Sequence, residues 1–183
     1  MIRPIFMSSL PQRKSPRLKG YDYSLSGAYF VTVCTHDRRC LFGEIDDHVL
    51  MLNAAGQIAA EHWLALPVHH PGIELDAFVV MPNHIHGIIV IVGTTPASSA
   101  PSHLAKPDEA GLVPTKTRLG TVIGSYKSAV TRAIRETTQI PDLRVWQARY
   151  YDHIIRNEAD LNRIREYIDT NTARWVMDTY YSL

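Results

Sequence analysis

The segment from Val79 to Val92, "VVMPNHIHGIIVIV", restricts the fold more than any other part of the chain. Beyond the Pro82-Asn83 pair, Ile85, Ile89 and Ile91 fall on one side of an extended backbone and Ile88, Val90 and Val92 on the other, because strand side chains alternate. A strand that is apolar on both sides belongs in the middle of a sheet with cover on each face. His84 and His86 interrupt it. At i and i+2 they share one face, so two imidazoles converge inside a layer that otherwise excludes polar groups.

The neighbouring segments supply the rest of such a sheet. "AYFVTVCTH" (Ala28 to His36) is rich in β-branched and aromatic residues and predicts a strand. "DRRCLFGEI" predicts a turn and a short extended piece. From Asp46, "HVLMLNAAGQIAAEHWLAL" repeats apolar residues at helical spacing and predicts a helix ending before Pro67. Glu74 to Pro82 and His84 to Val92 form a hairpin through Pro82-Asn83. Gly93 to Thr117, with four prolines and many small residues, is a flexible, exposed loop by composition. "LGTVIGSYKSAVTRAIRETT" predicts a helix, Arg144 to Ile155 a strand, and "EADLNRIREYIDTNTARW" a last helix capped by Asn157. That order suits an α+β domain, an antiparallel or mixed sheet with packed helices of ferredoxin-like or RRM-like kind.

At 183 residues the chain is most simply one domain, residues 21–183, behind a basic arm at residues 1–20. An apolar share of 45% and a charged share of 20% are those of an ordinary globular protein. No apolar run approaches the ~20 residues of a membrane span, and the N-terminal segment lacks the apolar core of a secretory signal. Cys34 and Cys40 are too few for a disulfide framework or a Cys-type zinc site. A cytoplasmic protein with no membrane partner is the expectation.

The net charge of +1 conceals a segregation. Residues 1–20 carry Arg3, Arg13, Lys14, Arg17 and Lys19 and no acid, and residues 116–156 carry eight basic residues against Glu136, Asp142 and Asp152. Residues 22–110 go the other way, with ten acids against Arg38, Arg39 and Lys106. Clustered Lys and Arg on a neutral chain suit a polyanion; a solvated basic face is as good a reading on charge alone.

A bare His-x-His is half of a metal site or a hydrogen-bonded core pair. A third ligand is sought on the last helix, where Leu161, Ile164 and Ile168 make the buried stripe. Tyr167 and Asn171, four residues apart, fall together on its flank. An amide oxygen from Asn171 could complete the shell of a hard cation with the phenol of Tyr167 beside it. On spacing alone, a tyrosine packed at the core edge with its hydroxyl in water is the better reading.

Five blocks follow one another with fitting gaps: "RKSPRLKGYDYSLSGAYFVTVCTHDRRCLFGEI", "FVVMPNHIHGIIVI", "IGSYKSAVTR", "VWQARYYDHIIRNEADLNRIREYI" and "TNTARW". Together they resemble the REP-associated tyrosine transposases, of the single-tyrosine HUH superfamily. The resemblance implies the HUH endonuclease fold, a divalent metal (Mg²⁺ or Mn²⁺) on His84 and His86 with Asn171, and Tyr167 as nucleophile. Relatives usually have Asn-Pro where this chain has Asn171-Thr172.

It further implies that Tyr167 attacks single-stranded DNA, at palindromic hairpins, to leave a 5′-phosphotyrosine and a free 3′-OH. The chain would act as a monomer or as a homodimer, since small transposases of this superfamily can swap the tyrosine helix. Arg13, Lys14, Arg17, Lys19, Lys127, Arg132, Arg135, Arg149 and Arg156 are the candidate phosphate contacts. Trp146, Tyr150 and Tyr151 could stack on unpaired bases, although each taken singly is better read as a core residue. A zinc hydrolase of small molecules would need the His pair but neither Tyr167 nor DNA. In a non-catalytic nucleic-acid-binding module on an RRM-like sheet the His pair would be merely structural, but the aromatic-rich signature of such modules is absent.

Overall fold

A computed structural model describes residues 21–23, 25–92 and 117–177. The basic arm and almost all of the 93–117 loop lie outside the described residues. In chain order the elements are β1 Gly27–Cys34, β2 Gly43–Asp46, β3 Val49–Leu52, α1 Ala54–Leu64, α2 Leu66–His69, β4 Ile73–Met81, β5 His84–Ile91, α3 Leu119–Thr138, β6 Tyr151–Ile155 and α4 Glu158–Asp169. Short 3-10 turns span His36–Arg38 and Thr172–Met177.

The main sheet has four strands in the order β4-β5-β1-β6, every neighbouring pair antiparallel. This is the strand order of a ferredoxin-like sheet, and β5 is internal, as its two apolar sides require. On one face Ile85 and Ile89 join Tyr29, Val31 and Val33 beneath Trp63 of α1 and Leu119, Ile123, Tyr126 and Val130 of α3. The buried residues of α3 recur three or four apart, the spacing that turns one side of a helix inward. On the other face Ile88, Ala28 and Phe30 pack against Leu161, Ile164 and Ile168 of α4, the stripe expected from sequence. Gly87 lets Trp63 lie flat on β5, since a Cβ there would sit 2.2 Å from the indole Cζ2.

Several boundaries differ from the sequence expectation. Residues 49–52 form a hairpin strand with β2, turned at Asp47 and His48, both at positive φ. Helix α1 starts only after Asn53, whose side chain accepts from the Gly56 amide at 3.0 Å. The apolar run "VLML" satisfies both periods, and its alternating exposure here is that of a strand. Helix α1 ends at Leu64, before Pro67 as expected, and Pro67 sits in the first turn of α2, where no N–H is needed.

The expected strand from Arg144 is regular only from Tyr151. Residues 145–147 instead run alongside the end of β1, with His36 N–H donating to Val145 and Gln147 N–H to Cys34. The last helix stops at Asp169, with Thr170 as its cap and the 3-10 turn following. No described helix is long and apolar enough to cross a membrane.

Candidate functional site

His84 and His86 open β5 on the α4 side of the sheet, opposite Cys34 and Thr32 of β1. Both are buried, at 0% and 1% exposure. Their Nε2 atoms face each other at 3.0 Å. The outer nitrogens are also engaged: His84 Nδ1 lies 2.8 Å from Asn83 Oδ1, and His86 Nδ1 lies 2.8 Å from Thr32 Oγ1. Phe30 stacks on the His86 ring and Trp175, from the C-terminal 3-10 turn, on the His84 ring. Burial pulls the His86 pKa down to about 3. Burial, then the neighbouring His86 and Arg38, pull His84 well below the ordinary value. Both rings are therefore neutral at physiological pH, the form that coordinates a metal.

Tyr167 comes to this pair from 81 residues further along the same chain, its hydroxyl 3.2 Å from His86 Nε2. Its ring, half-buried, packs edge-on against Phe30 and His86. Helix α4 is set at this depth by its apolar stripe and by two polar ties at its edges. Arg165 clamps both oxygens of Asp76, at 2.9 and 2.5 Å, where β4 bulges. His153 of β6 contacts Asp160 at 2.8 Å, and Arg163 closes on the same carboxylate. Burial alone raises the Asp160 pKa, but the hydrogen bonds from Arg163 and His153 outweigh it and hold the carboxyl below its usual range. Asn171, one turn beyond Tyr167, is buried as well.

The donor set fits a cation at this place. Two neutral imidazoles turn one nitrogen each toward a common point, and their opposite nitrogens are fixed by second partners. Among the described residues there is no cluster of three His, Cys, Asp or Glu side chains. The remaining positions would fall to oxygen donors or water.

The expected phosphate contacts do not all gather at this centre. Lys127 donates to the carbonyls of Gln147 and Ala148 at 2.6 and 3.2 Å, using two of its three donors to tie α3 to the 141–148 segment. With Arg132, Arg135 and Arg144 it lines a groove of about 900 Å³ between them. Arg149 and Arg156 are exposed; Arg13, Lys14, Arg17 and Lys19 lie outside the described residues.

Trp146 is a packing residue. Its indole N–H donates to Lys127 O and its ring meets Phe42 and Tyr126. Tyr150 and Tyr151 turn to opposite faces, Tyr150 to the α1/α3 core and Tyr151 to the α4 core. Sequence reasoning missed Thr32, Asn83 and Trp175. The position of Asn83 next to His84 was a readable signal, whereas Thr32 joins the site only through the β1–β5 register.

No protein-family model matches the chain. An uncharacterized protein of Haemophilus influenzae is 35% identical over 176 residues, covering 96% of this chain and 97% of its own. Among solved structures, a REP-associated tyrosine transposase bound to a REP hairpin is similar, with a TM-score of 0.57 at 21% identity over 86% of this chain and 73% of that one. The chain thus belongs to one family with that Haemophilus protein, and its fold is that of the REP-associated tyrosine transposases, which its ordered sequence blocks also resemble.

Proposed function

We propose that the protein is a transposase-like enzyme that cleaves and rejoins single-stranded DNA at palindromic hairpins. The observation that carries this reading is the tyrosine hydroxyl 3.2 Å from His86 Nε2, in a buried, neutral imidazole pair. A packing tyrosine needs no such partner, and a core His pair needs no phenol.

In the reaction Tyr167 Oη attacks the phosphorus and forms a P–O bond as the bond to the 3′ oxygen breaks. The products are a 5′-phosphotyrosine and a 3′-OH. Attack of another 3′-OH on that linkage restores a phosphodiester and frees the tyrosine. One phosphoester bond replaces another in each step, so no nucleotide cofactor is consumed. A divalent cation on His84, His86 and Asn171 would polarise the scissile phosphate and neutralise charge developing on it. The sheet fixes the imidazoles and the α4 ties fix the tyrosine, so the reacting groups are aligned before DNA arrives. Arg132 and Arg135 at the α3 groove, Lys127 with its remaining donor, Arg149, Arg156 and the basic arm are the phosphate contacts of this reading. The hairpin held by the structural neighbour supports DNA of that shape.

Tyr167→Phe removes the hydroxyl and keeps the ring against Phe30. It should eliminate the covalent protein–DNA adduct and strand cleavage with Mn²⁺, while hairpin binding persists. Tyr150→Phe and Tyr151→Phe should each still form the adduct. An adduct peptide mapping to either of those residues overturns the assignment.

A further inference from the structure

Asn83 occupies the two-residue turn between β4 and β5, fully buried at 0% exposure. Its amide is oriented by its neighbours. The Arg38 carbonyl, 3.0 Å away, can only accept, so the group facing it is the Nδ2 amine. Oδ1 therefore points at His84 Nδ1, 2.8 Å away. An amide oxygen cannot donate, so a neutral His84 carries its proton on Nδ1 and a lone pair on Nε2. The reverse orientation would set two carbonyl oxygens against each other at the Arg38 contact.

The Arg38 carbonyl is itself held in an unusual place. Asp37 and Arg38 are consecutive non-glycine residues in the left-handed region, with φ of 55° and 54°. Backbone of this kind persists where surroundings fix it and is frequent at functional sites. Here Thr35 Oγ1 bonds the Arg39 carbonyl at 2.8 Å and the Asn83 carbonyl at 2.9 Å. Arg39 reaches the Arg144 carbonyl at 2.8 Å, and the His36 amide reaches Val145 at 2.9 Å. The turn, the asparagine and the histidine form one connected chain.

His86 is held differently. Its Nδ1 partner is the Thr32 hydroxyl, which can donate or accept. Without a cation, the 3.0 Å contact between the two Nε2 atoms needs one proton, and it can come only from His86. Thr32 then donates to His86 Nδ1. When both Nε2 lone pairs are required, His86 takes its proton on Nδ1 and Thr32 accepts. One ring is locked and the other adjustable.

We propose that Asn83, aimed by the left-handed turn at Asp37 and Arg38, is a positioning residue that locks His84 with its proton on Nδ1 and its Nε2 lone pair toward His86. The lock is a property of the metal-free chain; its use in holding a cation rests on the metal reading above. The experiment is long-range ¹H–¹⁵N NMR of the histidine rings in metal-free protein, paired with Mn²⁺ titration. Wild type should show His84 protonated on Nδ1 and bare on Nε2.

Asn83→Leu leaves an Nδ1 proton without an acceptor and should move the His84 proton to Nε2, raising the Mn²⁺ Kd by about 10- to 100-fold. Asn83→Asp can still accept from Nδ1, and in its acid form can donate to Arg38, so it should restore the wild-type pattern. A wild-type His84 protonated on Nε2 overturns the proposal without any variant. So does an Asn83→Leu protein that folds with the Nδ1–H form retained. A wild type with the expected tautomer that binds no Mn²⁺ refutes the metal reading and leaves the lock supported.

Discussion

Metal-free protein should lose stability steadily as the pH falls from 7 to 5, because its buried histidines refuse protons that the unfolded chain accepts. In the unfolded chain a histidine titrates near 6.5, whereas His86 in the fold titrates at about 3. The folded value is the depressed one, so the unfolded state binds more protons between these limits. The contribution is fully present above pH 6.5 and disappears as the pH falls toward 3. With 1.36 kcal/mol per pKa unit, His86 alone removes about 2 kcal/mol between pH 7 and pH 5. His84 is depressed in the same direction by burial and by His86, so its loss adds to this.

Urea unfolding of chelator-treated protein at pH 7, 6 and 5 measures the effect, and His86→Gln supplies the control. Whatever its absolute stability, the variant should show about 2 kcal/mol less acid loss over that interval. Titrating groups away from the pair are common to both proteins and cancel in the comparison, and His84 keeps its largest source of depression, burial, in the variant. Equal pH dependence in wild type and variant would mean that His86 takes up its proton in the fold. Burial would then not be what keeps the pair neutral.

His84→Ala with His86→Ala should abolish divalent-dependent cleavage with DNA binding largely retained; cleavage at the wild-type rate would remove the metal from the mechanism. Gly87→Ala drives a methyl to 2.2 Å from Trp63 and should cost about 1–3 kcal/mol or more in chemical unfolding; a change below about 0.5 kcal/mol would show that the indole moves freely. Deleting residues 1–19 removes Arg13, Lys14, Arg17 and Lys19 and should reduce the slope of log K against log salt by roughly 3 for single-stranded hairpins, at ~0.7 per contact. An unchanged slope excludes the arm from binding.

Features that depend on local period were legible in the amino-acid order. The two-sided apolar pattern after Asn83 placed β5 inside the sheet, and alternation put His84 and His86 on one face of it. The spacing of Leu161, Ile164 and Ile168 identified the buried side of α4, and Asn157 its start. Where two periods fitted one stretch, the local signal failed. "VLML" pairs with β2 because a hairpin turn at Asp47 and His48 and the Asn53 cap together favour a strand there. What meets the histidines is set by long-range packing. The contact of Tyr167 with His86 depends on how α4 docks across β4 and β6, through Asp76, His153 and a shared apolar layer. The neighbours Thr32 and Arg38 arrive through strand register and a left-handed turn. Residues this far apart in sequence share no periodicity, so their meeting is set by the packing free energy of the whole domain rather than by any segment of it.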